Sequence, residues 1–313
     1  MSNLASPGVI EFYLICYNNN FCVEYQINTI THFCKDQYKI IILDSNCGLH
    51  ENNSEEKKEI CNKYGVEYIK IPESLANNNI DASFILGHKL NWTYNNIILP
   101  RNSTYFAFLD QDFFMVKPFS IIEHLDKFGM WGDVMEMAGQ TSGSFKKCDI
   151  KPGPWVLHPW LSFYKLDFIR SYKMDWLPLE NFDTGGTNWY NFISKANLNK
   201  ADYWFRDNII MYYPFAKQSN AGPPPYQNHY CNYQGDKFYG QIQINNGFMH
   251  FLNSRILTNP MHPKTAICRG MLDGILLANG FKFTANHGYE VFDSPANSIV
   301  MIDQSIDMQK KES

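Results

Sequence analysis

Two aspartates one residue apart, Asp110 and Asp112, interrupt an otherwise apolar stretch, FAFLDQDFFMVKPF (106–119). Carboxylates held together at the end of a strand repel each other, so the arrangement costs free energy unless a cation or hydrogen-bond donors compensate it. A hard divalent ion, Mn²⁺ or Mg²⁺, is the natural compensation, because it takes oxygen ligands and divides its shell between protein carboxylates and substrate phosphates. The apolar flanks fix the pair on rigid backbone and lower the local dielectric, which strengthens charge interactions there. The same pair also suits a plain turn that caps a loop, and a motif this short overpredicts metal sites when taken alone. Its context narrows the choice: it is the only D-x-D in the chain, it follows an apolar run at 105–109, and Lys117-Pro118 closes it.

The elements that must position this pair are legible upstream. VIEFYLICY (9–17) is a short β-rich apolar run, followed by a turn at Asn18-Asn19-Asn20 and by Val23, Ile27, Ile30 and Cys34 at helical spacing. YKIIILD (38–44) reads as a parallel strand buried on both faces and ends on Asp44. Asn53 with Glu56 three residues on opens a second helix, Gly65 ends it, and VEYIKI (66–71) returns as a strand. A helix over 82–94 precedes the strand that carries the acid pair. Alternation of this kind predicts an α/β fold with a mostly parallel central sheet flanked by helices. Ligands of such sheets sit beyond the carboxyl ends of the strands. Tyr17, Asp44 and the 110/112 pair all fall there.

Composition bounds the rest. A chain of 313 residues, 45% apolar and 16% aromatic, supports one large domain with elaborated loops. A net charge of −4 and scattered basic residues suggest neither nucleic acid nor anionic membrane as an electrostatic partner. Eight cysteines show no C-x-x-C pair or zinc-ribbon spacing, so reduced thiols and a cytoplasmic location are expected. No basic, then apolar leader opens the chain and no run of about eighteen apolar residues suggests a membrane span. Sequons at Asn52, Asn91 and Asn102 carry no weight without a secretory route.

FLDQDFFMVKPF resembles the D-x-D region of glycosyltransferases with the GT-A fold, in which an apolar strand, Asp-x-Asp and a few apolar residues lead to Lys-Pro or a near equivalent. FYLICYNNNFCVEYQINTI with YKIIILDSN resembles the opening βαβ of family-2-like transferases, and LGHKLNW (86–92) resembles the helix that passes beside the nucleotide. The likeness covers about residues 8–120 and weakens from there to about 256. It implies a single GT-A-like catalytic domain over 1–292, with a nucleotide-sugar half (8–120), an acceptor half (121–292) and a C-terminal tail (293–313).

The resemblance also implies roles. Asp112 would bind the metal directly, and Asp110 would bond it through water or hold the ribose of a nucleotide-sugar donor, with UDP favoured. Tyr17 would offer its ring to the base and Asp44 would accept from the uracil or ribose; core packing is the other reading of Tyr17. His88 and Asn91 would face the donor, unless they stand on an exposed helix face. NNGFMHFLNSR (245–255) resembles the segment that supplies a histidine ligand, which makes His250 the candidate. An imidazole beside oxygen ligands suits manganese better than magnesium, although a hydrogen-bonded strand histidine is the alternative. Ser254 and Arg255 would contact the diphosphate.

Inverting transfer needs a carboxylate to take the acceptor proton. Asp183, before Thr184-Gly185-Gly186 and a helix expected from Thr187, fits that role as well as it fits a helix or turn cap, and Glu180 is the nearby substitute; a retaining transfer requires no such base, and Asp183 then loses the role. Of the tryptophans after the D-x-D motif, Trp160 and Trp189 are the expected acceptor platforms, since aromatic faces stack on sugar rings. The proline-rich segment 221–235 reads as a surface loop or a lid. The whole points to metal-dependent transfer of a sugar to a hydroxyl, on a glycan. A nucleotidyltransferase acting on sugar phosphates would use the same acid pair, but 17–20 lacks the glycine and lysine of a phosphate loop. A non-catalytic carbohydrate-binding protein would need neither metal nor nucleotide.

Overall fold

The computed structural model describes residues 8–17, 19–45, 53–75, 81–136, 154–179, 182–199, 210–212, 242–245, 247–251 and 263–281. Its first half is a run of βα steps: β1 (Val9–Cys16), α1 (Asn20–Phe33), β2 (Gln37–Asp44), α2 (Ser54–Tyr64), β3 (Glu67–Lys70), α3 (Ala82–Thr93), α4 (Leu99–Arg101) and β4 (Tyr105–Asp110). A π-helical turn over Tyr94–Ile98 joins α3 to α4. β5 (Phe113–Met115), α5 (Ile122–Phe128), β6 (Met130–Glu136), β7 (Trp155–Lys165) and α6 (Leu166–Ile169) follow, then β8 (Ile210–Tyr212), β9 (Ile242–Asn245), β10 (Phe248–Phe251) and α7 (Pro263–Ala278).

Six strands form the central sheet in the order β3-β2-β1-β4-β7-β6. β3, β2, β1 and β4 run parallel, and β7 runs antiparallel to both β4 and β6. The sheet is therefore mainly parallel and flanked by helices, as the alternation of patterns predicts. The inner strands are apolar on both faces and buried almost throughout: Phe12, Leu14, Ile40 and Ile42 face one cluster while Tyr13, Ile15, Ile41 and Leu43 face another. A second, antiparallel sheet, β5-β10-β9-β8, has no counterpart in the sequence reading.

Caps define the first helices. Asn19 caps α1 by accepting from the Cys22 N–H, and Gly65 closes α2 in the left-handed region at φ 65°. Asn53 precedes α2 without a side-chain capping bond; its Oδ1 accepts instead from Lys57 Nζ at 2.6 Å. The helix expected from Thr187 is a turn that runs into a π-helical turn over Trp189–Ile193.

Two glycines permit close approaches that matter for the site. A Cβ on Gly87 would lie 2.6 Å from the Trp176 carbonyl, so α3 packs against the 174–177 segment only because position 87 has no side chain. Gly132, at φ 154°, would place a Cβ 2.3 Å from the Leu161 carbonyl. Just there the β6–β7 register breaks: Gly132 pairs Ser162 and Val134 pairs Leu157, so 158–161 bulge opposite the single residue Asp133. Pro159 lies in the bulge, where its missing N–H costs no ladder bond.

No described helix is long and apolar enough to cross a membrane. Cys16, Cys22, Cys34, Cys61 and Cys268 form no disulfide. The tail at 293–313, the 221–235 segment, Glu180, Trp204, Ser254 and Arg255 lie outside the described residues.

Candidate active site

β2, β1 and β4 are neighbours in parallel register, with Cys16 opposite Asp44 and Ile15 opposite Asp110, so all three acidic residues reach one edge of the sheet. The structure treats them in opposite ways.

Asp44 has no exposed surface. Its carboxylate accepts from Ser54 Oγ, from Lys57 Nζ at 3.0 Å, from Tyr68 Oη at 2.7 Å and from Lys70 Nζ at 3.0 Å. Burial pushes the group up, but the Ser54, Tyr68 and Lys57 donors outweigh it and bring it down to about 2. Four donors fill the acceptor positions of a carboxylate. This corrects the expectation that Asp44 reads the nucleotide: it anchors β2 to α2 and β3.

The turn between β4 and β5 is held from three sides. Gln26, fully buried on α1, donates Nε2 to the Asp110 carbonyl at 2.6 Å and to the Phe113 carbonyl at 3.0 Å. Gln111, between the two acids, accepts from the Tyr17 N–H at 3.0 Å and so ties the turn to the end of β1. The Phe251 N–H donates to the Asp112 carbonyl at 3.0 Å. With its backbone fixed, the turn cannot relax to part its two carboxylates.

Asp110 and Asp112 meet no lysine or arginine among the described residues. Burial, and then the charge of Asp112, raises the Asp110 carboxyl to about 8, against a smaller lowering by the Gln111 N–H at 2.8 Å. Asp112 is 5% exposed, and its Oδ1 is buried with no hydrogen-bond donor on it. The imidazole of His250, buried on β10, stands 3.4 Å from that oxygen through Nε2. The pairing of β10 with β5, His250 opposite Phe113, carries it there, and the two rings stack at 4.1 Å.

A buried orphan oxygen, a second carboxylate at high free energy and a nearby imidazole make a donor set that suits Mn²⁺. No group of three His, Cys, Asp or Glu side chains among the described residues closes around one point. An ion here would complete its shell with oxygens from outside the protein, as Mn²⁺ and Mg²⁺ do at phosphate sites.

From His250 the site continues along a ladder of rings. Trp160 lies 5.0 Å from His250, and His158 stacks on Trp160 at 3.5 Å and 21°. His158 Nε2 is 3.8 Å from Asp183 Oδ2. The acid-pair corner and the carboxylate expected as base are thus joined by Asp112, His250, Trp160, His158 and Asp183 in sequence. Trp160 and His158 reach this edge because β7 runs antiparallel past the end of β4, where Leu109 opposite Leu161 is the last pair. The bulge then begins.

The side chain of Asp183 is 49% exposed. Its Oδ1 accepts from the Thr184 N–H at 2.7 Å, and Thr184 Oγ1 donates to the Ser83 carbonyl at 3.0 Å, which fastens the turn to α3. The His158 imidazole, followed by Ser83 and the Thr184 N–H, holds the Asp183 carboxyl well below the usual carboxylate range despite partial burial.

Other sequence candidates sit differently. Tyr17 is half-buried at the end of β1, beside the D-x-D turn. His88 points out on the exposed face of α3, which corrects its expected donor contact. The residue turned inward is Lys89, 6% exposed, whose Nζ donates to the Ser45 carbonyl at 2.8 Å beyond β2. Asn91 is also corrected: Nδ2 donates to Asp175 at 2.7 Å and Oδ1 accepts from the Trp176 N–H at 2.9 Å, so both ends fasten α3 to the chain.

Trp160 is no open platform, since His158 covers its face and Nε1 donates to Asp133 at 2.5 Å. Trp189 packs along the fringe of the core. Among the described residues the exposed aromatic rings are Tyr190 at 56% and Phe84 at 41%.

Several site residues escaped the sequence reading, though each left a trace. Lys89 falls on the helical stripe Leu86, Leu90, Thr93, and Gln26 on the stripe Val23, Ile27, Ile30; a polar residue on a buried stripe announces a specific partner. His158 is flagged by Pro159 inside a strand, a bulge signal.

No protein-family profile matches the chain, and no curated protein does. Among solved structures it is similar to glucosyl-3-phosphoglycerate synthase from Mycobacterium tuberculosis in complex with Mn²⁺, uridine-diphosphate and glucosyl-3-phosphoglycerate, at 12% identity and a TM-score of 0.39, over 64% of this chain and 69% of that one. The same synthase with Mn²⁺ and uridine-diphosphate-glucose aligns at 13% identity and a TM-score of 0.39, over 64% and 68%. S. aureus TarS aligns at 10% identity and a TM-score of 0.30, over 52% of this chain and 29% of its own. Likeness this distant bears on neither substrate nor reaction.

Proposed function

We propose that the chain is a metal-dependent glycosyltransferase that moves a sugar from a nucleotide-diphosphate donor, UDP favoured, to a hydroxyl on a glycan. The observation that carries this reading is the acid pair: Asp110 and the buried Asp112 sit at the carboxyl edge of a mainly parallel sheet with no lysine or arginine on them among the described residues, and the Asp112 Oδ1 has no hydrogen-bond donor, the His250 imidazole standing 3.4 Å away. A fold that balances Asp44 with two lysines a strand away leaves this pair for a cation from outside.

Asp110, Asp112 and His250 would hold the ion. When bound, Mn²⁺ would offset the charge that develops on the departing diphosphate, which is electrostatic stabilisation of a leaving group. Tyr17 offers its ring at the end of β1, where the base of the donor would lie. Asp183 accepts the proton of the acceptor hydroxyl as that oxygen attacks the anomeric carbon. Its half-exposed carboxylate is open to an acceptor while its other contacts keep it fixed.

Calorimetry with UDP-glucose, with and without Mn²⁺, tests the reading. Binding should require the metal and vanish in Asp112→Asn, whose circular dichroism and melting should stay close to wild type. Metal-independent binding, or unchanged binding in the variant, refutes it.

A further inference from the structure

We propose that His158 is the positioning residue of the acceptor site: the β7 bulge lifts its ring onto Trp160, and from there its Nε2 fixes the Asp183 carboxylate beside the metal corner. The inference rests on the glycosyl-transfer reading and deepens it.

The geometry is over-determined from below. Trp160 is held by its Nε1–H on Asp133 and by the His250 and Phe113 rings at 5.0 and 6.2 Å, so the surface under His158 is rigid. The Trp160 N–H meets His158 Nδ1 at 3.4 Å. That assigns the lone pair to Nδ1 and the proton of the neutral ring to Nε2, the atom that faces Asp183. Imidazole approaches Asp183 from β7, Ser83 from α3 and the Thr184 N–H from its own turn, and of these His158 is the ionisable one. At 3.8 Å the Nε2–H of the neutral ring lies just beyond direct hydrogen-bond distance of Asp183 Oδ2, a polar neighbour that limits where the carboxylate can turn.

In the step itself the acceptor oxygen bonds to the anomeric carbon, and the bond from that carbon to the diphosphate breaks with its electron pair leaving on the diphosphate. The acceptor proton passes to Asp183 and then to solvent. His158 neither gains nor loses a proton over the cycle; it keeps the accepting oxygen in line, which is where effective molarity comes from.

A double-mutant cycle separates this role from simple support. The probe is UDP-glucose with Mn²⁺ and water as acceptor, read as UDP release. His158→Leu should lower kcat about ten- to hundred-fold, an order set by loss of an orienting contact, with the calorimetric affinity for the donor unchanged. His158→Gln, which keeps an N–H near the Nε2 position, should recover most of the rate. In an Asp183→Asn background, His158→Leu should cost little more, because the group it positions is gone. Multiplicative losses in the two backgrounds, a Gln variant no better than Leu, or a parallel fall in donor affinity would overturn the inference alone. Wild-type protein that neither binds nor cleaves the donor would overturn it together with the glycosyl-transfer reading.

Discussion

On the proposed reading, the raised Asp110 carboxyl would make metal binding a proton-release reaction. Burial and the neighbouring Asp112 charge hold the group near pH 8, whereas an ion takes it as a carboxylate. Below pH 8 each bound Mn²⁺ must expel close to one proton; at pH 7 that is about nine-tenths of a proton by simple titration. The affinity for Mn²⁺ together with a nucleotide sugar should therefore fall toward tenfold per pH unit below pH 8, about fiftyfold between pH 8 and pH 6. The sign for the metal-free protein follows from the same shift. A carboxyl whose folded value lies above its unfolded one keeps a proton that the unfolded chain has lost, so stability declines as pH rises from about 4 to about 8. Asp110→Asn should thus melt higher than wild type at pH 8 without metal, and should lose the steep pH dependence of binding. Calorimetry in two buffers of different ionisation enthalpy counts the protons directly. Affinity that stays flat from pH 8 to pH 6 with no proton release would refute the account, and with it the claim that the pair stands uncompensated.

Three further outcomes follow from the scaffold. Asp44 is the opposite case: its folded value of about 2 lies below the ordinary 3.8, so its contribution is complete above about pH 4 and is lost as pH falls toward 2, a change of about 2 kcal/mol that should flatten in Asp44→Asn on urea titration. Lys57→Met removes a fully buried partner of a fully buried carboxylate and should cost about 3 kcal/mol by urea denaturation; an unchanged midpoint would mean that Lys70 and the hydroxyls suffice. Gly132→Ala must push a Cβ against the Leu161 carbonyl at the edge of the bulge, and should lower the melting temperature and the rate of UDP release together.

Much of the sheet edge was legible because its signals are local. The apolar runs that end on Asp44 and Asp110 fix the strands, and a parallel sheet fixes which ends share an edge. The partners of those acids were not legible, because they are set by packing between distant segments. Asp44 looked like a ligand-facing carboxylate until α2 and β3 brought Lys57, Tyr68 and Lys70 to it. On α3 the sequence offers His88, Lys89 and Asn91 within one turn. Only the rotation of the helix, set by Gly87 against Trp176, decides that the lysine faces in and the histidine out. The second sheet escaped because its strands are three or four residues long, too short for a period to show. Yet it is what carries His250 to Asp112.

The contrast between the two acidic corners bears on why the site lies where it does. Asp44 and Asp110 are separated by one strand, and the same lysine chemistry was open to both. At Asp44 the lysines come from α2 and β3, on the far side of β1, and they make a closed, neutralised anchor whose groups have no lone pair to spare. A lysine placed beside Asp112 would likewise satisfy it, but it would also occupy the position a divalent ion needs, and a covalently tethered cation cannot leave with a product. The turn that holds the pair is instead pinned through neutral groups: Gln26 on its carbonyls, the Gln111 side chain on the Tyr17 N–H, and the Phe251 N–H from β10. Amides fix geometry without neutralising charge. Near neutral pH a proton on Asp110 offsets the cost of two close carboxylates, and on the proposed reading an external cation would take that proton's place, which is the condition for a metal site that fills with its substrate.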